Sequence, residues 1–397
     1  MRNLIVQFMF SFRFFRFAFY AILSTILATP TTFALDYATV LENGKKVKRE
    51  GRIIAEDTGG NFVFEERDGR WRMFQPKEVV EQLSDDKEFV PYTHAEMKKR
   101  LQAEFPKQFR IYETKRYLIV FDTTLAYARW CGNLLEQLDA AFIEHWKKNG
   151  FELTEPEFPL VAVIFADRGN FIRCTEPEVG SAVAYINAYY NQTTNRIVFY
   201  DLTGLEVYGN NSRVKSSSLE RRFREIMSRP DSAKAVATFV HEAAHQISYN
   251  CGMLKRFSAC PHWVSEGIAT LYETPDLSGE QAWSDTIKVN PLRLKHFYKY
   301  ATERNPNSPM RKVAASDEPF VIVSPENALD AYAICWSMMY FFHAKYNNEL
   351  IRYLKMISQK EPFLIDDESK RIRDFEEIFG SNWENLHQEY YKFMGTL

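Results

Sequence analysis

Cysteine is scarce in this chain of 397 residues, which carries five of them at positions 131, 174, 251, 260 and 335. An odd number leaves at least one thiol unpaired, and Cys335, in an apolar helical stretch, is the one expected to stay free. None lies in the first 34 residues, so lipid attachment at a lipobox-type cysteine is not expected there. Neither charge sign is in excess, with 50 basic against 52 acidic residues and a formal net charge of −2. Nothing in that balance calls for a nucleic-acid partner. Internal repeats are absent too. What the chain does have is apolar material: 46% of its residues are hydrophobic and 15% aromatic, enough for one large core or a small domain beside a larger one.

The N-terminal segment lacks any acidic residue. Arg2, Arg13 and Arg16 precede the apolar run FAFYAILSTILA, and TPTTFA then places small residues at Thr32 and Ala34. Such a run with such flanks suits a secretory signal over residues 1–34, cleaved after Ala34, and hence a periplasmic or secreted protein. The competing reading is an uncleaved membrane anchor. Export permits disulfides, and Cys251 with Cys260 is the expected pair because a short loop separates them; a thiolate metal site there is the alternative.

Residues 35–92 read as a small all-β domain. Short alternating stretches are punctuated by Asn43-Gly44, Gly59-Gly60 and Asp68-Gly69, which are hairpin signals. A compact SH3-like barrel of about five strands would fit them, serving as a scaffold or contacting a cell-envelope polymer. Thr93 to Glu96 form a capping box opening a short helix, read as a linker over 93–108. From 109 to 397 the pattern is α+β. FRIYET, RYLIVFDT, PLVAVIFA, SAVAYINAYY and NRIVFYD suggest strands, and a long amphipathic helix runs from Leu125 to Lys148. The chain after Tyr208 turns polar and then helical. Arg221, Arg222 and Arg224 read as a solvated helix face.

FVHEAAHQIS, residues 239–248, carries the chemistry. Pro230-Asp231-Ser232 is a good helix start, and few breakers follow before Tyr249. Residues four apart on a helix are turned by about 40°, so His241 and His245 project from one face and can share a cation. Glu242 sits about 100° further round, beside such an ion, where a base acting on water is needed. A catalytic site of this kind wants a third protein ligand. Glu266, in PHWVSEGIATLYE, is the preferred one, because a carboxylate beside the apolar stripe of Trp263, Val264, Ile268 and Leu271 needs a cation. His262 is its rival.

HEAAH followed by WVSEGIATLYE resembles the gluzincins, zinc metallopeptidases of the peptidase-MA-like superfamily, and within them a branch of uncharacterised exported bacterial domains. The resemblance covers about residues 105–395. It implies a zincin-like domain, a mixed sheet lobe followed by a helical lobe, with one zinc ion per chain held by His241, His245 and Glu266. It also implies that Glu242 is the general base and then acid, that Tyr332 stabilises the oxyanion, and that Glu273 orients a ligand histidine. Aminopeptidases of this type carry a Gly-x-Met-Glu-Asn motif whose glutamate anchors the substrate amine. SAVAYINAYYNQ has no acid at all, so internal cleavage of a peptide or protein is the better expectation. Asn187 and Asn191 could still serve a peptide backbone by strand addition. Two alternatives come from other classes: an inactive zincin-fold protein that binds or assembles in the cell envelope, and a hydrolase of another ester or amide. Oligomeric state is not readable.

Overall fold

A computed structural model describes residues 34–203, 225–226, 230–277, 281–284, 286–303, 309–318 and 325–397. The expected signal segment up to residue 33, and the basic group Arg221, Arg222 and Arg224, lie outside them. The architecture is mixed α+β: an all-β unit, a second sheet with helices on its faces, and a helical C-terminal region.

The first unit is a sheet of β1 (Ala34–Glu42), β2 (Lys45–Glu56), β3 (Phe62–Glu66), β4 (Trp71–Phe74) and β5 (Val79–Glu88), in the order β4-β3-β2-β1-β5. Every pairing is antiparallel. The Asn43-Gly44 turn holds both residues at positive φ, 50° and 75°, which a two-residue hairpin needs in order to match strand twist. β4 and β5 are the edges of this five-stranded ladder, and a 3₁₀ turn at Pro76–Glu78 leads into β5.

The second sheet contains β6 (Arg110–Glu113), β7 (Tyr117–Phe121), β8 (Leu160–Phe165), β9 (Ala188–Asn191) and β10 (Arg196–Tyr200), ordered β6-β7-β8-β10-β9. Its three central strands run parallel and its edges antiparallel. Central parallel strands are covered on both faces, and alternation sorts their side chains between two cores. Tyr117, Ile119 and Phe121 face the large core, whereas Leu118 and Val120 join a smaller one. That smaller core includes Met97 and Leu101 of α1 (His94–Glu104). The Thr93–Glu96 capping box forms as expected, and α1 packs on the sheet through Met97 and Leu101. Of SAVAYINAYY only the end becomes a strand. Gly180, at φ 73°, closes α3 (Arg168–Val179), and residues 180–185 form a 3₁₀ turn before β9 starts.

α2 (Leu125–Lys148) lies on the large-core side of this sheet. The helical region follows as α4 (Pro230–Asn250), α5 (His262–Leu271), α6 (Pro291–Glu303), α7 (Pro309–Ala315), α8 (Pro325–Lys345), α9 (Asn347–Ser358), α10 (Glu368–Phe379) and α11 (Trp383–Met394). No helix among the described residues is long and apolar enough to cross a membrane. All five cysteines are free, so the expected Cys251–Cys260 disulfide is not formed. Each thiol is instead buried against a backbone carbonyl, Cys251 on Ser248 and Cys260 on Pro261.

The all-β unit is fastened to the rest of the chain. Arg256, just past α4, pairs with buried Glu65 and donates to the carbonyls of Gly69 (2.7 Å) and Gln192 (3.0 Å). Its guanidinium lies 4.4 Å above the Trp71 ring, which also packs on Phe257 and Phe363. The Trp71 amide donates to the Thr193 carbonyl at 2.7 Å. Removing one partner of a buried ion pair strands the other. Arg256→Ala should therefore destabilise the chain by about 3 to 5 kcal/mol, measured by urea denaturation of the whole protein. Glu104 makes a more exposed joint, accepting from Arg196 at 2.7 and 2.8 Å and from Arg70 at 3.0 Å. Burial alone would raise its carboxyl, but these guanidiniums pull it from 4.5 down to about 2. A depressed carboxylate stabilises the fold above its unfolded pKa and loses that contribution as pH falls through the folded one. Glu104→Gln should accordingly flatten the fall in stability between about pH 4.5 and 2, followed by thermal melts across that range.

Candidate metal centre

α4 is anchored to the sheet by the face opposite its histidines. Phe239, Ala243 and Ile247 are buried, and the Phe239 ring lies 4.6 Å from that of Phe199. Gln246 Nε2 donates to the carbonyls of Asn195 (2.8 Å) and Val161 (3.2 Å). The i, i+4 spacing then leaves His241 and His245 turned together towards α5. α5 is almost wholly buried. It lies hard against α8 at Gly267, where a Cβ would stand 2.8 Å from Met339 Cβ and 3.0 Å from the Cys335 carbonyl oxygen. Only a glycine permits that approach, and it sets the depth at which its neighbour Glu266 projects.

Three donor atoms converge there. Nε2 of His241 is 3.1 Å from Nε2 of His245 and 3.1 Å from Oε2 of Glu266, and His245 Nε2 is 3.4 Å from the same oxygen. His241, His245 and Glu266 are all buried and form the one such group among the described residues able to hold a metal ion. His262 is not part of it. Its backbone amide donates to Asp317 (3.1 Å), and its ring faces the same carboxylate.

The surroundings fix the ligands. His241 Nδ1 meets Glu273 Oε1 at 2.9 Å, which leaves Nε2 for the centre. Glu273 is itself held by Arg293, at 2.6 and 2.8 Å, and by Asn290 Nδ2 at 2.8 Å. The Arg293 guanidinium lies 4.9 Å above the Tyr332 ring, and that ring stands edge-on to His241 with centroids 5.7 Å apart. Glu242 Oε2 accepts from the Tyr190 amide of edge strand β9 at 2.9 Å. The other two candidate polar groups of that strand region are already engaged. Asn187 accepts from the Tyr200 hydroxyl (2.7 Å), and Asn191 accepts from the amides of Thr193 (2.7 Å) and Thr194 (3.0 Å). Pairing at this edge would thus use backbone groups, not those side chains.

Electrostatics favour positive charge at the centre. Burial works against an imidazolium at His241, yet its hydrogen bonds to the Glu266 and Glu273 carboxylates raise its pKa to about 10. Glu273 would be raised by burial but is brought to about 2 by Arg293 and His241. Glu266 is pulled below the ordinary carboxylate range by the two histidines. Burial lowers His245. It lifts Glu242 well above its usual value. Glu242, Glu266 and Glu273 thus share this pocket with the single guanidinium of Arg293, and a divalent cation on the three donors would neutralise the set.

Arg293, Asn290 and the Tyr190 amide escaped the sequence reading. PLRLKHFY has no motif that marks Arg293, and only the fold brings it to Glu273.

Residues 235–364 match a family model described as Protein of unknown function (DUF1570). The match covers α4 from residue 235 onward, all of α5 and the residues beyond, including Tyr332. A comparison with curated proteins returns no match.

Loss of the carboxylate behind a ligand histidine typically weakens metal affinity 10- to 100-fold. Glu273→Gln should do so here, read by competition against a fluorescent chelator, while His245→Ala should abolish binding outright.

Proposed function

We propose that this chain is an exported zinc-dependent metallopeptidase of gluzincin type that cleaves internal peptide bonds. The carrying observation is the convergence of His241, His245 and Glu266 at 3.1 to 3.4 Å, with Glu242 buried on the next helical position. Ligands bound tetrahedrally to zinc at about 2.0 to 2.1 Å stand roughly 3.3 Å from one another, so the donor set fits that ion with little rearrangement. Two imidazoles and one carboxylate leave a fourth position open, as a catalytic site requires. The match to a family of unknown function over these helices is consistent with the reading and adds no activity to it.

When bound, zinc supplies Lewis-acid chemistry, polarising a carbonyl and making water nucleophilic near neutral pH. The protein's own groups divide the remaining work. Glu242 takes the proton from the attacking water and returns it to the leaving amine. Burial favours its protonated form, and a cation alongside restores the ionised form that a base needs. Burial, with Glu266 and Glu242 nearby, keeps the Tyr332 phenol protonated, so it donates to the developing oxyanion. Glu273 and Arg293 hold the His241 ring in place. β9, an edge strand with Tyr190 joined to Glu242, offers a substrate segment its backbone.

The decisive comparison is metal content by mass spectrometry beside turnover of a peptide library. Glu242→Gln should retain one zinc per chain and lose activity by a factor of about 10² to 10⁴. Zinc with cleavage unaffected by that change would sink the mechanism, and zinc without any cleavage would leave a binding protein.

A further inference from the structure

A second pair of histidines stands apart from the centre. His145, in the last turn of α2, and His343, in the last turn of α8, approach with Nε2 atoms 3.1 Å apart. Their ring centroids are 4.9 Å apart. The His241–His245 pair has nearly the same dimensions, 3.1 Å between Nε2 atoms and 4.7 Å between centroids. In both pairs the two Nε2 atoms are close enough to share either a proton or a single ion.

Four further features suit an ion shared by the two rings. Both imidazoles lie at helix C-termini, where the aligned backbone dipoles place partial negative charge. Trp146 is packed edge-on to both rings and Tyr272 edge-on to His145, which restrains their orientation. A cavity of about 280 Å³, lined by Gln137, Glu144, His145, Lys148 and Ser284, opens beside His145. Burial holds the His343 ring below the ordinary histidine range, so it is neutral, with a lone pair to offer, at neutral pH.

We propose that His145 and His343 form a second metal site, one that takes a divalent transition ion of the copper or nickel class and clips the C-terminal ends of α2 and α8 together. Bonds of about 2.0 Å to nitrogens 3.1 Å apart subtend roughly 100° at the ion, near the right angle of the tetragonal sites that Cu(II) and Ni(II) adopt with N and O ligands. Imidazole is a suitable ligand for either ion. The site needs no reaction at the first centre and is independent of the peptidase reading.

The test is titration of the full chain with copper(II), followed by electron paramagnetic resonance. The chain carrying His241→Ala with His245→Ala should bind one copper, with hyperfine structure from two imidazole nitrogens. Adding His343→Gln should lower its affinity at least tenfold and remove the two-nitrogen pattern, with far-ultraviolet circular dichroism unchanged. If the double variant does not fold, the natural chain decides: His343→Gln should reduce the copper bound from two per chain to one. A fall from one to none would keep this site and discard the first. Copper binding that His343→Gln leaves unchanged, or no binding by the chain that retains His343, overturns the proposal.

Discussion

Three carboxylates set within a few ångströms of two histidines in a protein interior stay ionised only if positive charge is placed among them. Glu242, Glu266 and Glu273 are all buried, and each has answered that demand differently. Glu273 takes Arg293 as a bidentate partner. Glu266 is left to the two imidazoles, and Glu242 is held towards its neutral form. Desolvation of an unpaired carboxylate costs several kcal/mol, far more than a helix pair gains from one more packed side chain. Acids are therefore kept here at the expense of stability, and the arrangement makes physical sense as one completed by a cation.

The geometry that keeps those charges in register comes from packing. α4 is fixed to the sheet by Gln246 and Phe239, so its histidine face cannot rotate. α5 is fixed by α8 through Gly267, and α6 supplies Arg293 and Asn290. Four elements distant in sequence thus set one group of donor atoms. A helix turn out of place on any of them would carry one donor atom out of reach of the other two.

What could be read from the chain beforehand follows the range of the interactions involved. Local periodicity suffices for His241 and His245, since four residues on a helix fix their relation whatever surrounds it. The Asn43-Gly44 hairpin and the Thr93 cap were legible for the same reason. Glu266 was legible from the apolar stripe beside it, whereas Glu273 came only with the resemblance, because its contact with His241 needs two helices to pair. Arg293 needed a third helix and carried no signal of its own. What tertiary context decides was not legible in the chain. The role of α1 depends on the apolar sheet face that Met97 and Leu101 find. The free state of Cys251 and Cys260 depends on where each thiol is buried, not on the length of the loop between them.

The same logic of distance gives the all-β unit a structural role in the site. Arg256 and Trp71 grip the β9–β10 turn through the carbonyls of Gln192 and Thr193. One or two residues upstream on β9 lie Asn191, which closes that turn, and Tyr190, whose amide binds Glu242. An edge strand held along only one side by hydrogen bonds is free to fray at its ends. Pinning the turn from the first unit removes that freedom and holds the Tyr190 amide against Glu242. The first unit therefore bears on Glu242 through contacts a short way along one strand, without supplying a side chain to the centre.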